Sequence, residues 1–523
     1  MLLKPDRLRF FAFATALTAL SLMGAAALKV ATPMGMGLIN DSTAYIAGAR
    51  SILQGTGYSE IWLATGTEPI IHYPPLLSSI LALIGLAGID PMRGIRALNI
   101  FLYGSNIWLM GILGWKMTGF KFAGLLLAFY FALDRVLLEI HAYAISEPLF
   151  IFFLTACIIL ISLHIEKRST GLLVLAGVVT GMALLTRYVG LALLATSALA
   201  LFVLHRDWSK RFTSLGIYLA CAFPWFFAWV ARNRLLTGME TNRGFGWHPP
   251  SVDNLQSGVQ SLANWLLPIN TAAVEFPLPT LLLSLVAIGL VCWIVYFGLR
   301  YLLKPVVTPP PNPFLFFSVA FTLIYASSLI ASLSFFDSTT KLQDRILSPM
   351  YATFMMLIVG SLGLAVKRAG FIRFRDRHQM ATQLVLGGII CSLLFLSGNN
   401  YYQKIEKLTR DGQGYASARY QKAAVANFLR QLPADVKIYT NSPPAVYSST
   451  ERPSYILFLD AGLTSEIKGF YSEINYAVKD GNAILVFYGI RKEEIDIEAY
   501  DFLVNGLILR IKNGTDMVYD NNP

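Results

Sequence analysis

Long apolar runs separated by short polar strips set the pattern of this chain. An apolar segment of about 17–25 residues can cross the hydrocarbon core as a helix, because its backbone groups are then hydrogen-bonded internally. Such segments fall near 10–30, 95–115, 121–134, 148–164, 171–187, 189–204, 212–231, 277–299, 313–336, 348–366 and 380–397. The pattern predicts an α-helical polytopic membrane protein with about eleven transmembrane helices. Its first run, Phe10 to Val30 behind Lys4, Arg7 and Arg9, exceeds the apolar core of a signal peptide. It reads as a retained helix, with a cleaved leader as the alternative.

One marginal stretch decides sidedness. Tyr73-Pro74-Pro75 opens an apolar run that ends near Gly88 and is short for a span. If it lies in the interface, the basic strips Lys116/Lys121, Lys167/Arg168, Arg206/Lys210/Arg211, Arg300/Lys304 and Lys367 to Arg377 all fall on the cytoplasmic side. If it spans, all of them are translocated, against the positive-inside rule. The interfacial reading makes 31–94 a first outer loop and puts the tail from 398 outside as well. That tail loses the apolar runs. Tyr415 to Leu432 and Glu493–Val504 have helical periodicity, whereas Val436–Thr440, Ile456–Leu459, Ala483–Tyr488 and Leu507–Ile511 read as strands. The expected organisation is a membrane domain over 1–397 and a small extracytoplasmic α/β domain over 398–523.

Composition agrees: 55% of residues are hydrophobic and 14% charged, too few charges for a water-soluble surface of 523 residues. The net charge of +11 sits in the cytoplasmic strips, which argues against nucleic acid as a partner. Cys157, Cys221, Cys292 and Cys391 lie in apolar stretches without paired spacing, and no HExxH, GxSxG, GxGxxG or GxxxxGK[ST] occurs. No zinc, serine-hydrolase or nucleotide site is therefore expected.

The informative polar residues are those on the outer side. Asn40-Asp41-Ser42-Thr43 opens a short amphipathic segment that includes Tyr45 and Arg50, with Asp41 either a helix cap or a functional acid. Ser146-Glu147-Pro148 starts the fourth span with ordinary helix-start chemistry, so Glu147 alone reads first as a cap. Arg187, beside Tyr188, is placed against the charge bias between two apolar spans; it needs either a carboxylate partner or an anionic ligand. Arg232 ends the seventh span, and Asp344-Arg345 opens the tenth. His72, before Tyr73, and His248 are isolated and read as local hydrogen-bonding groups. Acids and arginines on one membrane face suit a reaction at a lipid phosphate. Arginine binds the phosphate through a planar fork, and a carboxylate removes a proton from the attacking hydroxyl.

These residues resemble the GT-C membrane glycosyltransferases, especially the branch with protein O-mannosyltransferases and the bacterial lipid A aminoarabinose transferase. The resemblance is carried by Asp41, Tyr45, Ala49 and Gly55-Thr56-Gly57-Tyr58, then by Tyr73-Pro74-Pro75-Leu76, Ser146-Glu147-Pro148-Leu149-Phe150 and Leu185-Thr186-Arg187. It implies Asp41 as general base, Glu147 as a supporting or acceptor-orienting acid and Arg187 as a ligand of the donor phosphate. Arg232 and Arg345 join it as candidate phosphate ligands; Tyr45, His72, Tyr73, Tyr188 and Asp344 are further candidates around the centre. The implied donor is a polyprenyl-phosphate-linked sugar. The implied reaction is inverting transfer to a lipid, glycan or protein acceptor on the periplasmic or extracellular face of the inner (plasma) membrane. No cofactor is certain; a divalent metal is possible, with only Asp41 and Glu147 as plausible ligands. The loop from Arg232 to Pro277 is too short for the folded module of eukaryotic protein O-mannosyltransferases, which puts a protein acceptor in doubt. A transporter or flippase is the alternative from another class.

Overall fold

The computed structural model describes residues 5–60, 68–241, 244–266, 312–336, 340–368, 377–457, 459, 463–491 and 495–521, with isolated positions at 285, 289, 292 and 296. The predicted span 277–299 therefore lies, apart from those positions, outside the described residues. The chain opens with α1 (Pro5–Ala31), α2 (Asn40–Leu53), α3 (Leu76–Leu86), α4 (Pro91–Thr118), α5 (Lys121–Ala132) and α6 (Arg135–His141). There follow α7 (Glu147–Lys167), α8 (Thr170–Thr186), α9 (Gly190–Leu204), α10 (Trp208–Thr237) and α11 (Val252–Leu266). Next come α12 (Pro313–Phe335), α13 (Asp344–Arg368) and α14 (Arg377–Asp411). The tail adds α15 (Ala418–Gln421), α16 (Ala424–Gln431), β1 (Lys437–Thr440), α17 (Pro443–Thr450), β2 (Tyr455–Ile456), α18 (Ser465–Lys479), β3 (Ala483–Phe487), α19 (Ile497–Val504), β4 (Ile508–Asn513) and β5 (Asp516–Asp520).

Ten of the eleven sequence-predicted spans coincide with helices, most within a few residues at each end. Among the described residues, α1, α4, α7, α10 and α12 are long and apolar enough to cross a membrane, and α3, α5, α8 and α9 are shorter apolar helices. The chain is a multi-pass membrane protein. α3 has 11 residues. That is about 16 Å of helix, half of the ~30 Å hydrocarbon core, which fits an interfacial segment.

The chain divides into two compact units. The first comprises residues 1–31, 71–77 and 97–406. Its helices approach closely where glycine leaves room: a Cβ on Gly177 of α8 would lie 2.6 Å from Cys221 Cβ and 2.9 Å from the Tyr218 carbonyl of α10. Polar residues inside the unit bond across helices. Tyr218 donates to Thr180 at 2.9 Å, and the Asn106 amide donates to the Pro148 carbonyl at 3.1 Å. Asn99 donates to the carbonyls of His141 and Tyr143, at 3.1 and 2.7 Å. These amides fix the turn that leads into α7.

The second unit comprises 32–70, 78–96 and 407–523, so most of the first-loop segment clusters with the tail. Residue 398 lies inside α14, which runs unbroken to Asp411. The sheet order is β2-β1-β3-β5-β4, with β1 parallel to both β2 and β3 and with β5 antiparallel to β3 and β4. β3 is buried along its whole length, as its unbroken Ala-Ile-Leu-Val-Phe sequence requires. Leu485 and Phe487 face a core with α18 and α19; Ile484 and Val486 face another with α16 and α17. The expected strand at Ile456–Leu459 overlaps the two-residue β2 only at Ile456 among the described residues, and the expected helix over 415–432 is broken into α15 and α16. The pattern does not reveal α17, α18, β5 or the amphipathic α11.

Candidate active site

Three of the expected residues meet at helix ends within the first unit. Glu147 is the first residue of α7, behind Ser146 at the cap position and ahead of Pro148, which has no N–H to lose at a helix start. Arg187 follows the last residue of α8 in extended conformation. Arg345 stands in the first turn of α13, which is tied to α12 by the Tyr325 hydroxyl donating to the Ile346 carbonyl at 2.6 Å. Both guanidinium groups converge on one carboxylate oxygen. Arg187 Nη1 lies 2.7 Å and Arg345 Nε 2.9 Å from Glu147 Oε1. Arg187 Nη1 also donates to the Ser146 hydroxyl at 3.0 Å.

Burial gives this cluster its character. The Glu147 side chain is 1% exposed, against 17% for Arg187 and 29% for Arg345. A carboxylate so placed stays ionised only beside opposite charge, and removing one partner of a buried pair typically costs about 3–5 kcal/mol. Two arginines thus share one buried carboxylate oxygen. Glu147 Oε2 has no hydrogen-bond partner among the described residues.

The other candidates separate into two groups. Tyr188 is in the same unit; its hydroxyl donates to the Ile71 carbonyl at 2.8 Å and accepts from Trp229 Nε1 at 3.0 Å. His72 and Tyr73 follow Ile71, their rings edge to face at 4.6 Å. Arg232 lies over the Trp229 ring at 5.1 Å and donates to Asn233. Asp344 accepts from Trp265 Nε1 at 3.0 Å, while its neighbour Arg345 goes to Glu147. Asp41 and Tyr45 belong to the second unit. Asp41 is half-buried in the first turn of α2, one residue inside the helix, because Ile39 holds the cap position. Tyr45 is buried, and its carbonyl accepts from Ser78 at 2.9 Å. Among the described residues no group of three or more His, Cys, Asp or Glu could hold a metal ion. The double engagement of Glu147 is not visible in the sequence: its partner Arg345 is 198 residues away.

Residues 82–236 match the family of dolichyl-phosphate-mannose-protein mannosyltransferases. No curated protein matches the chain. Among solved structures, the chain is similar to ArnT from Cupriavidus metallidurans in the apo state, with 12% identity and a TM-score of 0.57 over 95% of this chain and 96% of that one. It is similar to the same protein bound to undecaprenyl phosphate, with 14% identity and a TM-score of 0.56 over 96% and 97%. The oligosaccharyltransferase of Archaeoglobus fulgidus in complex with Zn and sulfate follows at 11% identity and a TM-score of 0.54, over 90% of this chain and 67% of that one. The fold is that of the GT-C superfamily of membrane glycosyltransferases. The family-model match is confined to residues 82–236, whereas the likeness to ArnT runs over the whole length.

Proposed function

We propose that this protein transfers a monosaccharide from a polyprenyl-phosphate donor to a hydroxyl or phosphate acceptor, with inversion, on the non-cytoplasmic face of the plasma membrane. The observation that carries this reading is the buried Glu147 with two arginines on one oxygen. Two guanidinium groups gathered at the ends of membrane helices suit an anion, and their forked geometry suits the lipid phosphate. Arg187 and Arg345 bind that phosphate and stabilise the charge that grows on it as the sugar leaves. Glu147 holds the two arginines in register; a carboxylate so engaged is a poor base, which leaves Asp41 to take the proton from the acceptor hydroxyl. The binding of undecaprenyl phosphate by ArnT supports the donor class. The fold likeness gives the transporter alternative no support.

The experiment is turnover of a labelled polyprenyl-phosphate monosaccharide in membranes that supply the native acceptor. Asp41→Asn is expected to lose ~10²–10⁴-fold in rate, the usual contribution of a positioned base, with its thermal unfolding unchanged. Full activity in that variant removes Asp41 from the mechanism.

A further inference from the structure

The second unit joins α2, the helix that carries Asp41 in its first turn, to the tail at both of its ends. At the first end, Leu38 and Gly414 form a parallel bridge, and Tyr415 N–H donates to the Leu38 carbonyl at 2.8 Å. Gly414 has φ 57°, and a Cβ there would fall 2.0 Å from the Leu38 oxygen, so only glycine allows the approach. The Tyr415 hydroxyl then donates to Asn40 Oδ1 at 3.0 Å and accepts from Ser442 at 3.4 Å. Ser442 lies just past the carboxyl end of β1, the edge at which open α/β sheets bind ligands; here it meets the chain's own tyrosine.

At the other end, Arg50 is clasped by three partners. It makes a bidentate pair with Asp90 at 2.9–3.1 Å, donates to the Tyr447 hydroxyl at 2.8 Å and reaches Glu451 at 2.9 Å. Tyr447 and Glu451 belong to α17 and its end, and Asp90 precedes α4. Glu451 adopts φ 59°, a left-handed conformation rare outside glycine. Burial alone would push the Arg50 guanidinium down, but Tyr447, Glu451 and Asp90 more than reverse it, so the clasp stays charged. Burial pushes the Tyr415 hydroxyl up, which keeps it a donor at working pH.

We infer that the C-terminal α/β fold is a positioning element for the helix bearing Asp41, with Tyr415 and Glu451 as its positioning residues. This rests on the reading of Asp41 as the base. The tail has no catalytic group in this scheme; it fixes the two ends of α2, and so the carboxylate in its first turn. An ångström of misplacement of a reacting group is enough to cost ~10²-fold in rate, so a loosened helix lowers turnover while donor binding, made by other residues, persists.

The test uses the full chain in lipid nanodiscs and native-acceptor membranes, with Tyr415→Phe and Glu451→Gln singly and combined. Hydrogen exchange over residues 40–53 is expected to quicken, and kcat to fall roughly tenfold in the pair with the donor KM unchanged. Adding the pair to Asp41→Asn is expected to cause no further loss. Unaltered exchange, unaltered kcat, or a change confined to KM overturns the inference. Full turnover by Asp41→Asn alone brings down the base assignment instead, and is recognised because it needs no change in the tail.

Discussion

The molecule holds two arginine–carboxylate clusters with opposite arithmetic. In the first unit, two arginines share one carboxylate that is 1% exposed. In the second, one arginine that is 11% exposed serves two carboxylates, Asp90 at 40% and Glu451 at 60%, leaving an excess negative charge. The first arrangement centres on a buried acid, so desolvation makes loss of that acid's partners expensive. The second answers its own cation fully, so it serves as a fastener. The same residue types thus form a buried cluster, the proposed binding site, in one region and an exposed tie in the other, and stoichiometry and burial distinguish them.

The sharpest way to break this contrast is to remove the acids. Glu147→Ala is expected to destabilise the protein by about 3–5 kcal/mol, because two half-buried guanidinium groups lose the buried carboxylate they share. Glu451→Ala is expected to cost roughly 0–1 kcal/mol, the range of exposed pairs. Thermal unfolding of the two variants side by side checks this; equal losses would erase the distinction. Donor binding sharpens it next. Arg345→Ala and Arg187→Ala are each expected to weaken polyprenyl-phosphate binding by ~10–100-fold, the loss of a charged hydrogen bond of about 1.5–3 kcal/mol, whereas Glu451→Gln leaves it unchanged in a direct titration. The smallest effect is that of salt. Raising ionic strength is expected to quicken exchange in 40–53 modestly, since Asp90 and Glu451 face water, while leaving donor affinity in Glu451→Gln equal to that of the parent.

Much of the membrane fold is legible because lipid enforces it. Apolar length and flanking charge are one-dimensional signals, and α1, α4, α7 and α10 appear where those signals end. The tail is harder. Its strands are only two to six residues long, and the helix expected over 415–432 breaks at Lys422 and Ala423, so periodicity has little room to declare itself. Of the site, the charged helix ends at 147, 187 and 345 are visible as charges out of place. Their convergence on one oxygen is not, since it is set by packing between helices far apart in sequence. Arg50 escapes notice for a similar reason: an arginine in an amphipathic segment looks like a solvated face until Tyr447 and Glu451 are folded back upon it.

The left-handed backbone at Glu451 sets stability and activity at odds. Holding a residue with a side chain there costs roughly 1 kcal/mol that a glycine would avoid. A Glu451→Gly chain should therefore melt higher and work more slowly, since the relieved peptide no longer carries a carboxylate to the arginine. Screens that select this protein for heat resistance alone would drift toward that sluggish form.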